Sequence, residues 1–270
     1  MIRRINFEVN EVRPYINWLY FFHAWGLAGK PQAEKDKLKG DAEAMLDVMQ
    51  SRYRTRAVFG LFSANSDGDD LLLGGMRIPM LRQQHPARPG DPNLCLADFV
   101  RPLSSGITDK AGAFAATVDA AMEHDYRTDD FGRMLAQTLA DRLAEATTEK
   151  MHEDVRRTYW GYAPGERLTK QQLFNEEFQG IRPAVGYPSL PDTSVNFLLS
   201  QLLGMKSIGI HLTESGAMQP HASVSGFMFA HPKARYFSIG KIGTDQFADY
   251  ARRRGIPQEL MRRFLASSLA

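Results

Sequence analysis

The chain has 270 residues, 43% of them hydrophobic and 24% charged, with a formal net charge of +2. That length buries a sizeable core as one large domain or two small ones, and so small a charge excludes a class of protein that binds nucleic acid by neutralising phosphates. A single cysteine, Cys95, excludes an internal disulfide and a thiolate zinc cluster. Cys95 lies in the apolar run Leu94-Cys95-Leu96-Ala97 and reads as a small buried hydrophobe. No stretch approaches the roughly 18 consecutive apolar residues of a membrane span. The opening Met1-Ile2-Arg3-Arg4-Ile5-Asn6-Phe7-Glu8 has no signal-peptide core. A cytoplasmic protein is expected.

Along the chain, residues 14–29 are crowded with aromatics (Trp18, Tyr20, Phe21, Phe22, Trp25) and read as core. In residues 34–53, Leu38, Ala42, Met45, Leu46, Met49 and Tyr53 fall at helical spacing. Val58 to Ala64 reads as a strand entering the turn Asn65-Ser66-Asp67-Gly68-Asp69-Asp70, and Leu71-Leu72-Leu73 as the return strand of a hairpin. Residues 79–93 carry Pro79, Pro86, Pro89, Gly90 and Pro92 and must be loop. Residues 94–100 and 112–118 are strand-like. The strongest helix runs from Thr128, its expected cap, to about Tyr159, with Asp129 and Asp130 in its first turn and Arg156 and Arg157 in its last. Phe131, Leu135, Leu139 and Leu143 give it an apolar face. A helix at 194–203 follows, then strands at about 207–212, 224–230 and 236–242, and two closing helices from about 244 and 257. Arg252-Arg253-Arg254 reads as a solvated face.

Strands and helices intermix without the alternation of a doubly wound sheet. The chain has no Gly-x-Gly-x-x-Gly fingerprint and no Walker loop. His211, His221 and His231 are spaced by ten, which is no ligand spacing within one element, and no cysteine or paired acid accompanies them, so no metal site is expected. Ser215, His221 and Asp245 lack a nucleophile elbow and are not expected to act as a triad. No catalytic side chain emerges.

The stretch that carries most meaning is Arg182-Pro183-Ala184-Val185-Gly186-Tyr187-Pro188, with His211-Leu212-Thr213-Glu214-Ser215 and Ala222-Ser223-Val224-Ser225-Gly226 downstream. Taken alone it is a Pro-Gly turn with a fixed cation and an aromatic face, suited to a small ligand with a carboxylate and a flat ring. The segment resembles the S-adenosylmethionine-binding motif of the activation (reactivation) domain of cobalamin-dependent methionine synthase. The resemblance extends in order through residues 15–30, 58–70, 95–100, 112–115, 140–146, 159–164, 231–237 and 245–253, so that one activation domain over 1–270 is expected. It implies an α+β fold: a single C-shaped domain with a curved antiparallel sheet flanked by helices.

The resemblance assigns ligand contacts to Arg182, Ala184, Gly186, Tyr187 and Tyr236. It makes Arg182 the partner of the ligand carboxylate, serving the ligand and not the core. Ala184 and Gly186 would offer backbone groups, and the two tyrosines aromatic faces and hydroxyls. Asn17 stands where the family commonly has aspartate. The amide keeps an acceptor for the ligand's ammonium group but loses the charge, which implies an affinity roughly tenfold lower. Many members also carry an extra histidine near Pro191-Asp192-Thr193-Ser194. Asp141 and Glu145, four apart on the long helix, share a face. The residues alone fit a solvated acidic face equally well as the role the resemblance implies, facing a cobalamin-bearing module and receiving its histidine.

The resemblance implies a component of a methyltransferase that does not complete methionine synthesis alone. It would present the methyl group of S-adenosylmethionine to cob(II)alamin on another module or chain while a flavodoxin-like reductant supplies an electron. The alternative is a non-catalytic domain that senses S-adenosylmethionine or docks to a corrinoid protein.

Overall fold

The computed structural model describes residues 1–86, 88–126 and 129–269. The chain opens with strand β1 (Ile2–Glu8), a short helix α1 (Val9–Val12) and helices α2 (Trp18–Ala24) and α3 (Gln32–Arg52). It continues through strands β2 (Arg54–Asp67), β3 (Asp70–Leu73), β4 (Met76–Pro79) and β5 (Asp109–Val118), then the long helix α4 (Asp130–Asp154). Helices α5 (Lys170–Phe174) and α6 (Val195–Leu203), strands β6 (His211–Leu212), β7 (Met218–Gln219) and β8 (Ser223–Met228), and helices α7 (Thr244–Arg254) and α8 (Gln258–Phe264) complete it.

The fold is α+β, an antiparallel curled sheet flanked by helices. The main sheet runs β4-β3-β2-β5-β8, with β1 also paired to β2. The 14-residue β2 is shared: β1 pairs with its first half (Ile2 opposite Gly60, Glu8 opposite Arg54) and β3 with its end (Asp67 opposite Asp70). The β2–β3 hairpin is the one read from the sequence.

Both faces of the sheet are covered. Side chains alternate along β5: Phe114, Ala116 and Val118 face a core shared with Leu135, Leu139 and Leu143 of α4 and Leu46 and Met49 of α3. Ala111, Ala113 and Ala115 face a second core with Val195, Leu199 and Leu203 of α6. A strand buried on both faces has no polar alternation, which is why β5 is a nearly continuous apolar run. A third cluster joins α7 to α8 through Phe247, Tyr250, Met261 and Phe264.

Several elements differ from the sequence expectation. Residues 94–100 form no strand; Leu96–Phe99 is a 3-10 turn, because Asp98 reaches back to accept from the Cys95 N–H at 2.8 Å. Of 207–212, only His211–Leu212 is strand, preceded by the 3-10 turn Met205–Ile208. Residues 236–242, all described, form no strand: Gly240 turns the chain at φ +71°, Ile242 makes only an isolated bridge to Leu269, and the Ile239 N–H donates to the Pro188 carbonyl at 2.9 Å. The strand β4 lies in a stretch with no strand-length apolar signal of its own.

The expected cap Thr128 lies outside the described residues. Asp129 caps α4, accepting from the Gly132 N–H at 2.6 Å. Phe131 is half exposed, while Leu135, Leu139 and Leu143 are buried as expected. The helix ends in a turn of π-helix, Val155–Tyr159, which carries Arg156 into the interior rather than to a solvated end.

Candidate functional site

The segment 181–190 is laid along the open edge of the main sheet. Ile181 and Phe229 exchange backbone hydrogen bonds at 2.9 Å, Phe227 N–H donates to the Pro183 carbonyl at 3.0 Å, and Val185 N–H to the Ser225 carbonyl at 2.8 Å. The loop then closes on itself: the N–H of Gly186 donates to the Leu190 carbonyl at 2.8 Å, and that of Leu190 to the Tyr187 carbonyl at 2.9 Å. Gly186 has φ +88°, a left-handed conformation that glycine alone adopts freely.

Between this loop, α4, α2 and α5 lies a cleft of about 650 Å³, within the range of small-molecule sites. Arg182, Ala184, Tyr187, Tyr236, Asn17 and Glu145 all line it. The structure therefore brings six of the eight residues singled out in the sequence to one place. Gly186 is not in the lining; its N–H is engaged inside the loop. Asp141 is also outside the lining, one turn from Glu145, and its carboxylate lies 3.6 Å from Nδ1 of the exposed His221.

Arg182 is held at both ends. Its backbone N–H donates to the Tyr236 hydroxyl at 3.0 Å, and its guanidinium, 14% exposed, pairs with the carboxylate of Glu149, 8% exposed. Burial works against the charge of Arg182, but the Glu149 carboxylate holds the guanidinium above its ordinary pKa. Two buried atoms of this pair have no partner: Arg182 Nε and Glu149 Oε1. Arg142, another lining residue, has an unpartnered Nε as well. Buried polar atoms are rarely left unpaired, and three of them belong to side chains that line this one cleft.

The remaining groups set the electrostatics. Burial pushes the Tyr236 hydroxyl up to about 12. Tyr187, half exposed, donates to Glu145 and is raised by burial and by that charge. Asn17 caps α2, its Oδ1 accepting from the Leu19 N–H at 3.1 Å. Glu176 lines the cleft at φ +59°, a conformation that costs a non-glycine residue on the order of 1 kcal/mol or more. Its carboxyl is raised by burial, with Arg182 opposing. Counted formally, Arg142 and Arg182 stand against Glu145, Glu149 and Glu176, leaving the lining with one excess negative charge.

Sequence reasoning missed Glu149, Glu176 and Arg142. Arg142, Glu145 and Glu149 fall at i, i+3 and i+7 of α4, and so share one helix face; that spacing was legible. Glu176 had no comparable signal, because its backbone conformation appears only in the fold.

Residues 8–255 match the family of the vitamin B12 dependent methionine synthase activation domain. The chain belongs to that family. As a whole the activation domain is also similar to a crystal structure described as the MetH reactivation domain bound to AdoHcy, with 39% sequence identity and a TM-score of 0.92. The similarity covers 100% of this chain and 90% of the other. The activation domain is thus part of the cobalamin-dependent methionine synthases, which are methyltransferases. Among its described residues, no group of three or more His, Cys, Asp or Glu is placed to hold a metal ion, and no helix is long and apolar enough to cross a membrane.

Proposed function

We propose that the cleft binds S-adenosylmethionine and presents its methyl group to a cobalamin-bearing partner module. The observation that carries this reading is Arg182, fixed in the lining with its Nε unpartnered, in a cleft whose lining has one excess negative charge. S-adenosylmethionine is zwitterionic at its amino-acid end and carries a further positive charge on sulfur. A cleft with one surplus carboxylate complements that net charge. The AdoHcy in the related structure supports the same reading.

On this reading, Arg182 takes the ligand carboxylate through charge-assisted hydrogen bonds. The ammonium group faces Asn17 Oδ1 and the Glu176 carboxylate, whose strained backbone is the cost of pointing an acid into the cleft. Tyr187 and Tyr236 offer ring faces to the adenosyl and sulfonium portions, and Ala184 and Gly186 keep the loop free of bulk. Bound S-adenosylmethionine supplies a sulfonium methyl group for transfer to cobalt with one electron from a flavodoxin-like reductant. The domain contributes orientation rather than acid–base chemistry. Asp141 and Glu145, one turn apart on α4, are the groups that face the partner, acting in cis or in trans. We take residues 1–270 as one activation domain, since the segment beyond 255 packs through Met261 and Phe264 against Phe247 and Tyr250. The setting is the cytoplasm.

Calorimetry with S-adenosylmethionine tests the site; affinity in the micromolar range or weaker, roughly −8 kcal/mol or less favourable, is expected. No heat and no melting shift at millimolar ligand would refute it. A reductive methylation assay with added cobalamin module tests the activity: binding without methylation would instead mark a sensing domain.

A further inference from the structure

We infer that Glu149 is a positioning residue: it holds the Arg182 guanidinium in the orientation that receives the ligand's carboxylate, without itself touching the ligand. The inference rests on the cleft being an S-adenosylmethionine site.

Arg182 sits on an edge loop, and a long side chain there has several rotamers to lose on binding. Two anchors remove that freedom. Tyr236 fixes the main chain, and Glu149, on the rigid long helix, fixes the side chain through Nη2. The pair leaves Nε, one edge of the guanidinium, unpartnered. An arginine held by one carboxylate can still offer its free donors to a second, because five N–H groups share one planar fork.

The layer beneath shows why the pair stays together. His152, one turn beyond Glu149 on α4, is fully buried. Its Nδ1 lies 2.8 Å from Arg156 Nη1. Arginine can only donate, so Nδ1 accepts and the ring is neutral with its proton on Nε2. Burial and the positive charges of Arg156 and Arg182 all hold that ring below its ordinary pKa. Arg156 is committed elsewhere: it grips Glu166 at 2.7 and 3.0 Å and lies over the Phe178 ring at 4.1 Å. With His152 uncharged and Arg156 taken, neither of these two draws Glu149 away from Arg182.

The test compares ligands rather than variants alone. Wild-type and Glu149→Gln chains are titrated by calorimetry with three ligands. S-adenosylhomocysteine has the carboxylate and the ammonium group, decarboxylated S-adenosylmethionine has only the ammonium group, and 5′-methylthioadenosine has neither. Glu149→Gln should weaken S-adenosylhomocysteine by about tenfold or more, the size of one lost charge-assisted interaction. It should weaken the doubly cationic decarboxylated ligand clearly less, through the lost lining charge alone, and leave 5′-methylthioadenosine within about twofold. An equal loss for 5′-methylthioadenosine would make Glu149 merely structural. A loss as large for the decarboxylated ligand as for S-adenosylhomocysteine would make it a direct contact of the cationic groups, and no loss for any ligand would give it no role; each overturns the inference. Should the Gln variant not fold, Glu149→Asp keeps the charge one methylene short of Arg182 and should show the same ligand pattern with a smaller loss. Failure of the wild-type chain to bind any of the three would refute the proposed function itself, a result distinct from all of these.

Discussion

Gly226 on β8 and Pro183 on the binding loop touch so closely that a Cβ at position 226 would stand 2.1 Å from the Pro183 carbonyl oxygen and 2.9 Å from the Ala184 Cα. The obstacle is backbone, so no side chain can move to relieve it. The missing side chain is what lets the loop lie on the sheet edge and hold Arg182 over α4.

Gly226→Ala should therefore displace the loop. The expected cost is about 1–3 kcal/mol of stability, the range for overpacking a filled site, together with a loss of S-adenosylmethionine affinity. Thermal melting and calorimetry on the same sample check it. An unchanged melting temperature would show that the loop is not seated as described.

Arg182→Ala has a different outcome from the one the sequence suggested. The sequence reading gave Arg182 to the ligand and not to the core, so the fold was expected to survive its loss. The structure pairs it with the buried Glu149, and removing one partner of such a pair leaves an uncompensated charge, at a cost of about 3–5 kcal/mol. Both binding and stability should fall. Tyr236→Phe is milder: it keeps the ring but strips the Arg182 N–H of its acceptor, at about 1–3 kcal/mol. Urea denaturation of both variants measures the difference.

Asn17→Asp should tighten ligand binding by about 1 kcal/mol, less at high salt, by restoring a carboxylate opposite the ammonium group. The substitution is clean because Asn17 also caps α2, and aspartate caps as well as asparagine; the melting temperature should hardly move. S-adenosylhomocysteine should gain similarly, and a ligand without the ammonium group should not. Weaker binding of both ammonium-bearing ligands would show that the cleft is adapted to the amide.

His152 makes stability depend on pH. The ring is held neutral in the folded chain, its pKa well below the ordinary 6.5. Below pH 6.5 the unfolded chain takes up a proton that the folded chain refuses. Stability should therefore be lost on acidification through that window, by up to about 1.4 kcal/mol per pH unit from this group, with no contribution to the slope above it. Denaturation curves at pH 7.5 and 5.5 for wild type and His152→Gln check the sign. A variant whose stability falls just as steeply would assign the acid sensitivity to other groups.

Sequence alone determined the elements whose faces are written in local periodicity. Leu38, Ala42, Leu46 and Met49 mark α3; Leu135, Leu139 and Leu143 mark α4; the turn at Gly68 marks the β2–β3 hairpin. It failed at 94–100 and 236–242, where an apolar run has no period to read and distant or side-chain hydrogen bonds decide the conformation. Arg182, Ala184, Tyr187, Tyr236 and Asn17 were reachable only through resemblance, since nothing in their spacing says that they meet.

Only the tertiary structure decided what Arg182 is bound to. Its partner Glu149 lies thirty-three residues earlier, on another element. The two meet because Gly226 lets the loop settle on the sheet edge that α4 also covers. Periodicity records which faces of an element avoid water. It carries no record of which buried charge will find which, because that choice depends on how separate elements dock.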